Sequence, residues 1–270
     1  MSRYFLEIEF NGAEFSGWQL QPDTKTVEGS IEDALATIFQ QSMDIVGQGR
    51  TDAGVHARAQ VAHVDISDES WVRIQKNCAT KTELMNLLVH RLNRMLGPDI
   101  FIRGMQRVAP DAHARFTART RSYEYRVLLA SSPIDAKLAW YPGFEPKIET
   151  LQILAKQLIG VHNFDVMSKT NPDNFTTICS VEESQLVVQG NVLVFRISAN
   201  RFLRNMVRRL VGTMVQLSRE FELEEYVGLF DRTLGQPIWI HQLKEHQQVT
   251  APAEALTLVK VDYPNDIFVD

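Results

Sequence analysis

The chain has 270 residues, of which 44% are hydrophobic and 23% charged; this is the composition of a folded globular protein and excludes long disordered segments. Its net charge of −5 at pH 7 excludes a uniformly basic nucleic-acid-binding protein. No stretch approaches the roughly 20 uninterrupted apolar residues of a membrane span, and the first ten residues lack the apolar segment of a signal peptide, so we expect a cytoplasmic protein without membrane contact.

The first part of the chain predicts strands and helices in alternation. Residues 4–10 alternate between apolar and polar side chains, which predicts a half-buried strand. Thr26 is a candidate cap for a helix whose apolar residues fall on one face: Ile31, Ala34, Leu35, Ile38 and Phe39. The sequence GQGRTDAGVHA, residues 47–57, is then expected to form a loop ahead of a strand over residues 60–66. A second helix is predicted over 82–96, ended by Gly97-Pro98.

The second part of the chain begins with an arginine-rich segment that is expected to form a connection. The elements predicted after it are a strand over 122–129, a helix from 151 to 159, a hairpin over 184–198 that turns at Gly190-Asn191, and a helix over 203–217. This order predicts an α+β protein of two similar halves, residues 1–107 and 108–270, with a cleft between them.

Two segments concentrate positive charge on this acidic chain. Residues 103–126 hold six arginines against the two acids Asp111 and Glu124, and residues 200–210 hold four arginines and no acid. Such segregation can support a basic cleft on an acidic protein, and arginine is well suited to phosphate contacts and to stacking on bases. Two solvated faces that happen to be basic are the alternative, which the charge pattern alone leaves open.

The loop GQGRTDAGVHA could cradle a phosphate or present a carboxylate. Asp52 occupies the third glycine position of a dinucleotide fingerprint, a strand follows rather than a helix, and the P-loop lysine is absent, so the phosphate interpretation fails. In the other interpretation Gly49 and Gly54 let the backbone bend around Asp52, and Arg50 holds this carboxylate ionised and oriented as a nucleophile. An Asp that only organises its own turn remains the alternative.

No metal site is predicted. His56 and His63 have no Cys or carboxylate at ligand spacing, so we interpret them as structural histidines. Cys78 and Cys179 form no CxxC pattern and are interpreted as reduced thiols.

Tyr123 and Tyr125 alternate on the strand that follows the arginine-rich segment. Their default interpretation is core packing, because they share a face with aliphatic residues. The neighbouring arginines favour stacking on an exposed base instead.

Taken together, these stretches closely resemble the bacterial tRNA pseudouridine synthase A family. The resemblance rests on the loop GQGRTDAGVHA with QVAHVD after it, and on further stretches in the family's order: FNGAEFSGWQLQ (10–21), TVEGSIEDAL (26–35), LNRMLGPDI (92–100), AHARFTARTRSYEY (112–125), GVHNF (160–164) and NRFLRNMVRRLVG (200–212). It implies the pseudouridine synthase fold, with a mainly antiparallel sheet flanked by helices in each half and an RNA-binding cleft between the halves.

The resemblance also implies the reaction and the residues that perform it. The family isomerises uridine to pseudouridine at nucleotides 38, 39 and 40 of the tRNA anticodon stem-loop, as a homodimer and without cofactor or metal. Asp52 is then the nucleophile, Tyr123 packs on the target base, and Arg50 and Arg208 complete the active site. Candidate RNA contacts are Arg58, Arg115, Arg119, Arg121, Tyr125, Arg201 and Arg204.

Two departures and two alternatives accompany this resemblance. Arg58 and Ala59 replace a smaller residue and a glycine at the exit of the loop, which concerns the approach of RNA more than the carboxylate. A catalytically silent RNA-binding protein on the same scaffold remains possible, as does a small-molecule hydrolase that uses Asp52 as its nucleophile.

Overall fold

The computed structural model describes residues 1–75, 78, 80–168, 176–220, 230–231, 236–241 and 248–269. Contacts within the chain define two compact units, Met1–Arg119 with Leu258–Asp270, and Thr120–Thr257. Both units combine antiparallel strands with helices, which confirms the predicted α+β class. None of the described helices has the length and apolar character needed to cross a lipid bilayer.

The first unit is built on three long antiparallel strands, with β1 between β3 and β4. The short strand β2 pairs with β3, and α3 packs on β4. Its elements are β1 (Ser2–Phe10), α1 (Val27–Phe39), β2 (Ile45–Gly47), β3 (His56–Ile66), α2 (Asp68–Ile74), α3 (Lys81–Leu96) and β4 (Ile100–Val108). The predicted helix cap is confirmed, because the Thr26 side chain accepts a hydrogen bond from the Gly29 N–H.

The second unit has the antiparallel strand order β5-β8-β7-β6, with α4 packed on β7 and on α5. The predicted hairpin turn at Gly190-Asn191 is confirmed, since Gln189 pairs with Val192 across it. The elements are β5 (Thr120–Leu128), α4 (Ile148–Lys156), β6 (Gly160–Asn163), β7 (Ile178–Gln189), β8 (Val192–Ala199), α5 (Met206–Glu220), β9 (Phe230–Asp231), β10 (Gln236–Pro237) and a short helix (Ile238–His241); β11 (Leu256–Asp262) leads back into the first unit.

The arginine-rich segment is not the continuous connection that the sequence predicted. Its first part belongs to β4, which pairs with residues 3–10 of β1. The register of this pairing shifts between Glu7 and Ile8, where a bulge interrupts the alternation of β4. The periodic signal of the strand is therefore broken near Gly104, and only residues 109–119 connect β4 to β5.

The boundary of the units also differs from the predicted division at residues 107 and 108. Residues 108–119 and 258–270 pack with the first unit. The Ala109 N–H donates to the Ile267 oxygen at 2.8 Å, and the Arg119 N–H donates to the Asp262 oxygen at 2.8 Å. These two segments cover one face of the sheet, where Phe5, Val61 and Val108 form a cluster with Ala112, Ala114 and Ile267.

A buried histidine supports this covering layer. His63 is 5% exposed, and its Nδ1 accepts a hydrogen bond from the Ala114 N–H at 3.2 Å. Its ring centroid lies 4.7 Å from that of His113. Burial, and to a smaller extent the charge of Arg3, lower the pKa of His63 to about 4. Nearby, Arg3 donates two hydrogen bonds to Asp65, at 2.8 and 2.7 Å, and thereby lowers the pKa of this carboxyl group.

We predict that acidification destabilises the folded protein, because the pKa of His63 is lowered by folding. The folded pKa of about 4 lies below the ordinary histidine pKa of 6.5, so between these pH values the unfolded chain binds a proton at this site that the folded protein excludes. The free energy of unfolding should therefore fall as the pH decreases from 7 to 4, by up to about 3 kcal/mol from this group. The pKa of Asp65 is lowered, so its contribution is lost only at still lower pH.

Urea unfolding at pH 7 and pH 4.5 measures this effect. His63→Asn should flatten the pH dependence, while His90→Asn, on an exposed position of α3, should retain it. His113, whose pKa is also lowered, accounts for a remainder in the variant. A wild-type pH dependence in His63→Asn would contradict the assignment to His63.

Candidate functional site

The predicted loop lies between β2 and β3, and buried glutamines fix its first residues. The Gln48 N–H donates to the Val61 oxygen at 2.8 Å. The Gln48 side chain donates to Gln60 Oε1 at 2.9 Å, and Gln60 Nε2 donates to the Gly49 oxygen at 3.0 Å. Both glutamines are buried, so these bonds are shielded from water and hold the loop against its own following strand.

Residues 12–18 support the loop from the other side. The Gly12 N–H donates to His56 Nδ1 at 3.1 Å, and the Trp18 N–H donates to the Thr51 oxygen at 3.1 Å. His56 is buried at the start of β3 and has the structural role that the sequence predicted. At Gly17 an added Cβ would lie 2.7 Å from the Thr51 oxygen, and φ is +98°, so this close approach requires glycine.

Asp52 opens a tight turn within this supported loop. The Val55 N–H donates to the Asp52 oxygen at 3.2 Å, and Gly54 has φ +82°, as at the third position of a type II turn. Thr51 is buried and Asp52 is half-buried. The expectation that Gly49 is needed for the bend was wrong, because an added Cβ there would have no atom within 4 Å and its φ is not left-handed.

Asp52 is therefore a partly accessible carboxylate on a backbone that is held on both sides. Its neighbour Arg50 is exposed, as is Arg58 at the start of β3. A fixed backbone with an accessible carboxylate is what a nucleophilic or electrostatic role of Asp52 requires.

Tyr123 lies on β5 of the second unit and is half-buried. It pairs with Ile197 of β8, and its ring meets that of Phe202 edge to face, with centroids 5.1 Å apart. This contact limits the rotation of the tyrosine ring and leaves part of its surface accessible.

Arg208, in α5 of the second unit, is held by two different acceptors. Its Nε donates to the Ala251 oxygen at 2.8 Å, and its Nη1 donates to Asn205 Oδ1 at 3.3 Å. The Ala251 N–H in turn donates to the Arg208 oxygen at 3.1 Å. The guanidinium of Arg208 is thus oriented by the segment before β11 and by the residue that precedes α5.

The RNA contact predicted for Tyr125 was wrong. Tyr125 is fully buried, and its hydroxyl donates to the Pro252 oxygen at 2.8 Å. Burial raises the pKa of this hydroxyl group. Its ring belongs to the core of the second unit and is not available to a base. This agrees with core packing, the default interpretation of this residue from the sequence.

The other predicted RNA contacts are accessible arginines at several places. In the first unit Arg115 and Arg119 are exposed; in the second, Arg204 is exposed and Arg121 and Arg201 are half-buried. Arg121 Nη1 donates to the Asn200 oxygen at 2.9 Å, which brings Arg121 next to Arg201. Asp52, Arg50 and Arg58 belong to the first unit and Tyr123 and Arg208 to the second, so their joint action remains a prediction.

Sequence reasoning missed the residues that support the site. Gly17 and Trp18 lie in the stretch FNGAEFSGWQLQ, whose local sequence carries the family resemblance but does not reveal a contact with the loop. Gln60 lies in a strand that also contains His63 and Asp65, so its residue type alone does not mark it as buried support for the loop. Arg209 is also structural, because its Nη1 donates to the Ser168 oxygen at 2.7 Å.

The described residues include no group of three or more His, Cys, Asp or Glu side chains that could hold a metal ion. Cys179 is buried, and burial raises the pKa of its thiol to about 11, so it is protonated at neutral pH.

Comparison with known proteins identifies the family to which the chain belongs. Residues 154–264 match the family described as tRNA pseudouridine synthase. A tRNA pseudouridine synthase A of Parabacteroides distasonis is 35% identical, over 99% of this chain and 98% of its own length. Relatives with the same name from Porphyromonas gingivalis and Chlorobaculum tepidum are 36% and 39% identical, over 99% and 96% of this chain and 100% and 96% of their own. The chain therefore belongs to the tRNA pseudouridine synthase A family.

Proposed function

We propose that this protein is an isomerase that converts uridine to pseudouridine in tRNA. Family membership over nearly the full length supports the reaction. The observation that carries the mechanism is Asp52 at the first position of a turn whose backbone is fixed by Gly17, Trp18 and the buried glutamines. The conversion neither oxidises nor hydrolyses its substrate, so it requires no redox cofactor.

We further propose that Asp52 is the nucleophile. The bond from the sugar C1′ to N1 of the base breaks, the base turns, and a bond from C1′ to C5 forms; C5 then gives up its proton to water and N1 takes up one, so that the product is an isomer of the substrate. A carboxylate suits this sequence because it can form a covalent bond to the nucleoside and later leave. Attack on the sugar and attack on the base are both compatible with this role.

The proposal gives Tyr123, Arg50 and Arg208 supporting roles in the same reaction. Tyr123 has the accessible aromatic surface that packing on an extruded base requires. Arg208 has an oriented guanidinium, which suits a charged partner such as a carboxylate or phosphate. Arg50, two residues before Asp52, supplies a second positive charge.

The substrate positions that we propose are nucleotides 38, 39 and 40 of the anticodon stem-loop. A stacked uridine must leave the helix to reach Asp52, at a cost of a few kcal/mol that contacts with the surrounding RNA must offset. Exposed arginines such as Arg58 and Arg204 suit such contacts. We also propose a cytoplasmic homodimer, in which two copies supply more basic surface to one tRNA than a single acidic chain.

Replacing the nucleophile tests the mechanism. Asp52→Asn should lower the release of tritium from C5-labelled uridine in tRNA by at least about 10³-fold, while tRNA binding persists. Asp44→Asn, at an exposed position just before β2, should retain activity. An Asp52→Asn protein with more than a tenth of wild-type activity would sink the nucleophile assignment.

We predict that replacing Arg208 lowers kcat, and that a lysine at this position, which keeps the positive charge, does not fully restore it. Arg208→Gln should lower kcat by about 10²-fold, and Arg208→Lys should restore only a small part, because lysine cannot donate from the positions of Nε and Nη1 together. Arg219→Gln, at an exposed position of the same helix, is the control. Equal kcat values for Arg208→Lys and the wild type would contradict the need for an oriented guanidinium.

We predict that activity depends on the close packing of Gly17 against the loop that carries Asp52. Gly17→Ala introduces a Cβ 2.7 Å from the Thr51 oxygen at a left-handed φ, so the loop that carries Asp52 must shift. We expect a loss of about 1–3 kcal/mol in the free energy of unfolding and at least a tenfold lower kcat at temperatures where the variant remains folded.

Gly104→Ala is the matched control for Gly17→Ala, since its added Cβ would meet no atom within 4 Å. Chemical denaturation and single-turnover kinetics give the two quantities. If Gly17→Ala kept wild-type kcat while losing stability, the supporting segment would be structural only.

A further inference from the structure

One large aromatic side chain of the first unit projects into solvent. Phe116 is 76% exposed, in the connection between β4 and β5. An isolated exposed apolar residue on a flexible loop would carry little information. The connection around Phe116 is instead anchored by several hydrogen bonds.

Several side chains fix the backbone next to Phe116. Arg3 Nη1 donates to the Ala112 oxygen at 2.9 Å, and the Tyr263 hydroxyl donates to the Ala114 oxygen at 2.6 Å. The Ala114 N–H donates to buried His63. The His113 N–H donates to the Thr117 hydroxyl at 2.9 Å, and the Thr117 N–H donates back to the His113 oxygen at 2.9 Å. The ring of Phe116 is therefore presented by a rigid backbone.

The surroundings of the ring are aromatic and basic. The ring centroid of His113 lies 4.5 Å from that of Phe116, and the Arg115 guanidinium carbon lies 5.6 Å from the Phe116 centroid. The sequence from Ala112 to Arg119 contains two arginines and no acid. An aromatic ring on an anchored backbone beside a cation matches an unpaired nucleobase with its phosphate, because the ring offers a stacking face and Arg115 offers a phosphate contact.

This surface lies away from Asp52 itself, although the loop that carries Asp52 begins beside Ala62. His63, which holds Ala114, follows His56 by seven residues along β3, a separation of about 23 Å in an extended strand. RNA that contacts both places must therefore extend well beyond the target nucleotide.

We propose that Phe116, flanked by His113 and Arg115, is a stacking platform for an unpaired base of the RNA substrate, outside the site of the reaction. The proposal rests on the proposed function only for the identity of the RNA. Stacking there adds affinity and fixes the RNA at a second point, while the chemistry stays at Asp52.

Substitutions at Phe116 test stacking against mere apolar contact. The dissociation constant of unmodified tRNA is measured in the Asp52→Asn background, where turnover is not needed for the readout. Phe116→Ala and Phe116→Leu should both raise it by about 5- to 100-fold, and Phe116→Trp should stay within about twofold. Val72→Ala, at a 67% exposed position of α2, is the control and should stay within about twofold.

Salt dependence separates the ring from its neighbouring cation. Arg115→Gln should reduce the slope of log Kd against log salt concentration by about 0.7–0.9, as expected for one lost phosphate contact, and Phe116→Ala should leave the slope unchanged.

Two results would overturn the platform. One is tRNA binding by Phe116→Ala or Phe116→Leu within twofold of the parent protein. The other is a smaller oligomer of Phe116→Ala in sedimentation velocity with unchanged tRNA affinity, which would make this surface a contact between copies of the chain. If wild-type protein bound tRNA through Phe116 but formed no pseudouridine, the proposed function would fail and the platform would stand.

Discussion

The close approach of Gly17 to the Thr51 carbonyl is the contact on which the candidate site depends. It lets the Trp18 N–H bond to the Thr51 oxygen one residue before Asp52. Apart from Val55 and Ala57 this loop buries little apolar surface, so the hydrophobic effect alone cannot order it. Backbone contacts and buried glutamines order the loop instead. They fix the backbone of Asp52 while this residue stays partly exposed.

The second unit positions its candidate groups by the same principle. Main-chain or short side-chain acceptors orient Arg208, and the edge of a neighbouring ring limits Tyr123. Groups that are held before the substrate arrives lose little conformational entropy on binding, which favours catalysis and affinity alike. Asp52, Tyr123 and Arg208 thus lie on backbone segments that hydrogen bonds or a neighbouring ring hold in place.

Much of this architecture could be predicted from the sequence. The strand at residues 2–10, the helix capped by Thr26 and the hairpin at Gly190 all carry strong local signals of period, cap or turn. Strand β4 escaped prediction because a bulge interrupts its alternation. The loop around Asp52 was recognised from its residue types, but the support from Gly17 depends on a contact across 34 residues of sequence, which no local pattern encodes. Tyr123 and Tyr125 occupy equivalent positions in the alternating pattern of β5. Only the structure shows that Tyr125 is fully buried and Tyr123 is half-buried.

The return of residues 258–270 to the first unit has a consequence for how the protein is made. The cluster around Phe5 includes Ile267, with Tyr263 and Phe268 packed against it. These residues are synthesised only after the whole second unit. One face of the sheet in the first unit therefore stays uncovered while the second unit is synthesised. In the second unit, strands β5 to β8 follow one another in the sequence without an intervening segment of the first unit. Synthesis therefore favours an order in which the later unit is complete before the earlier one.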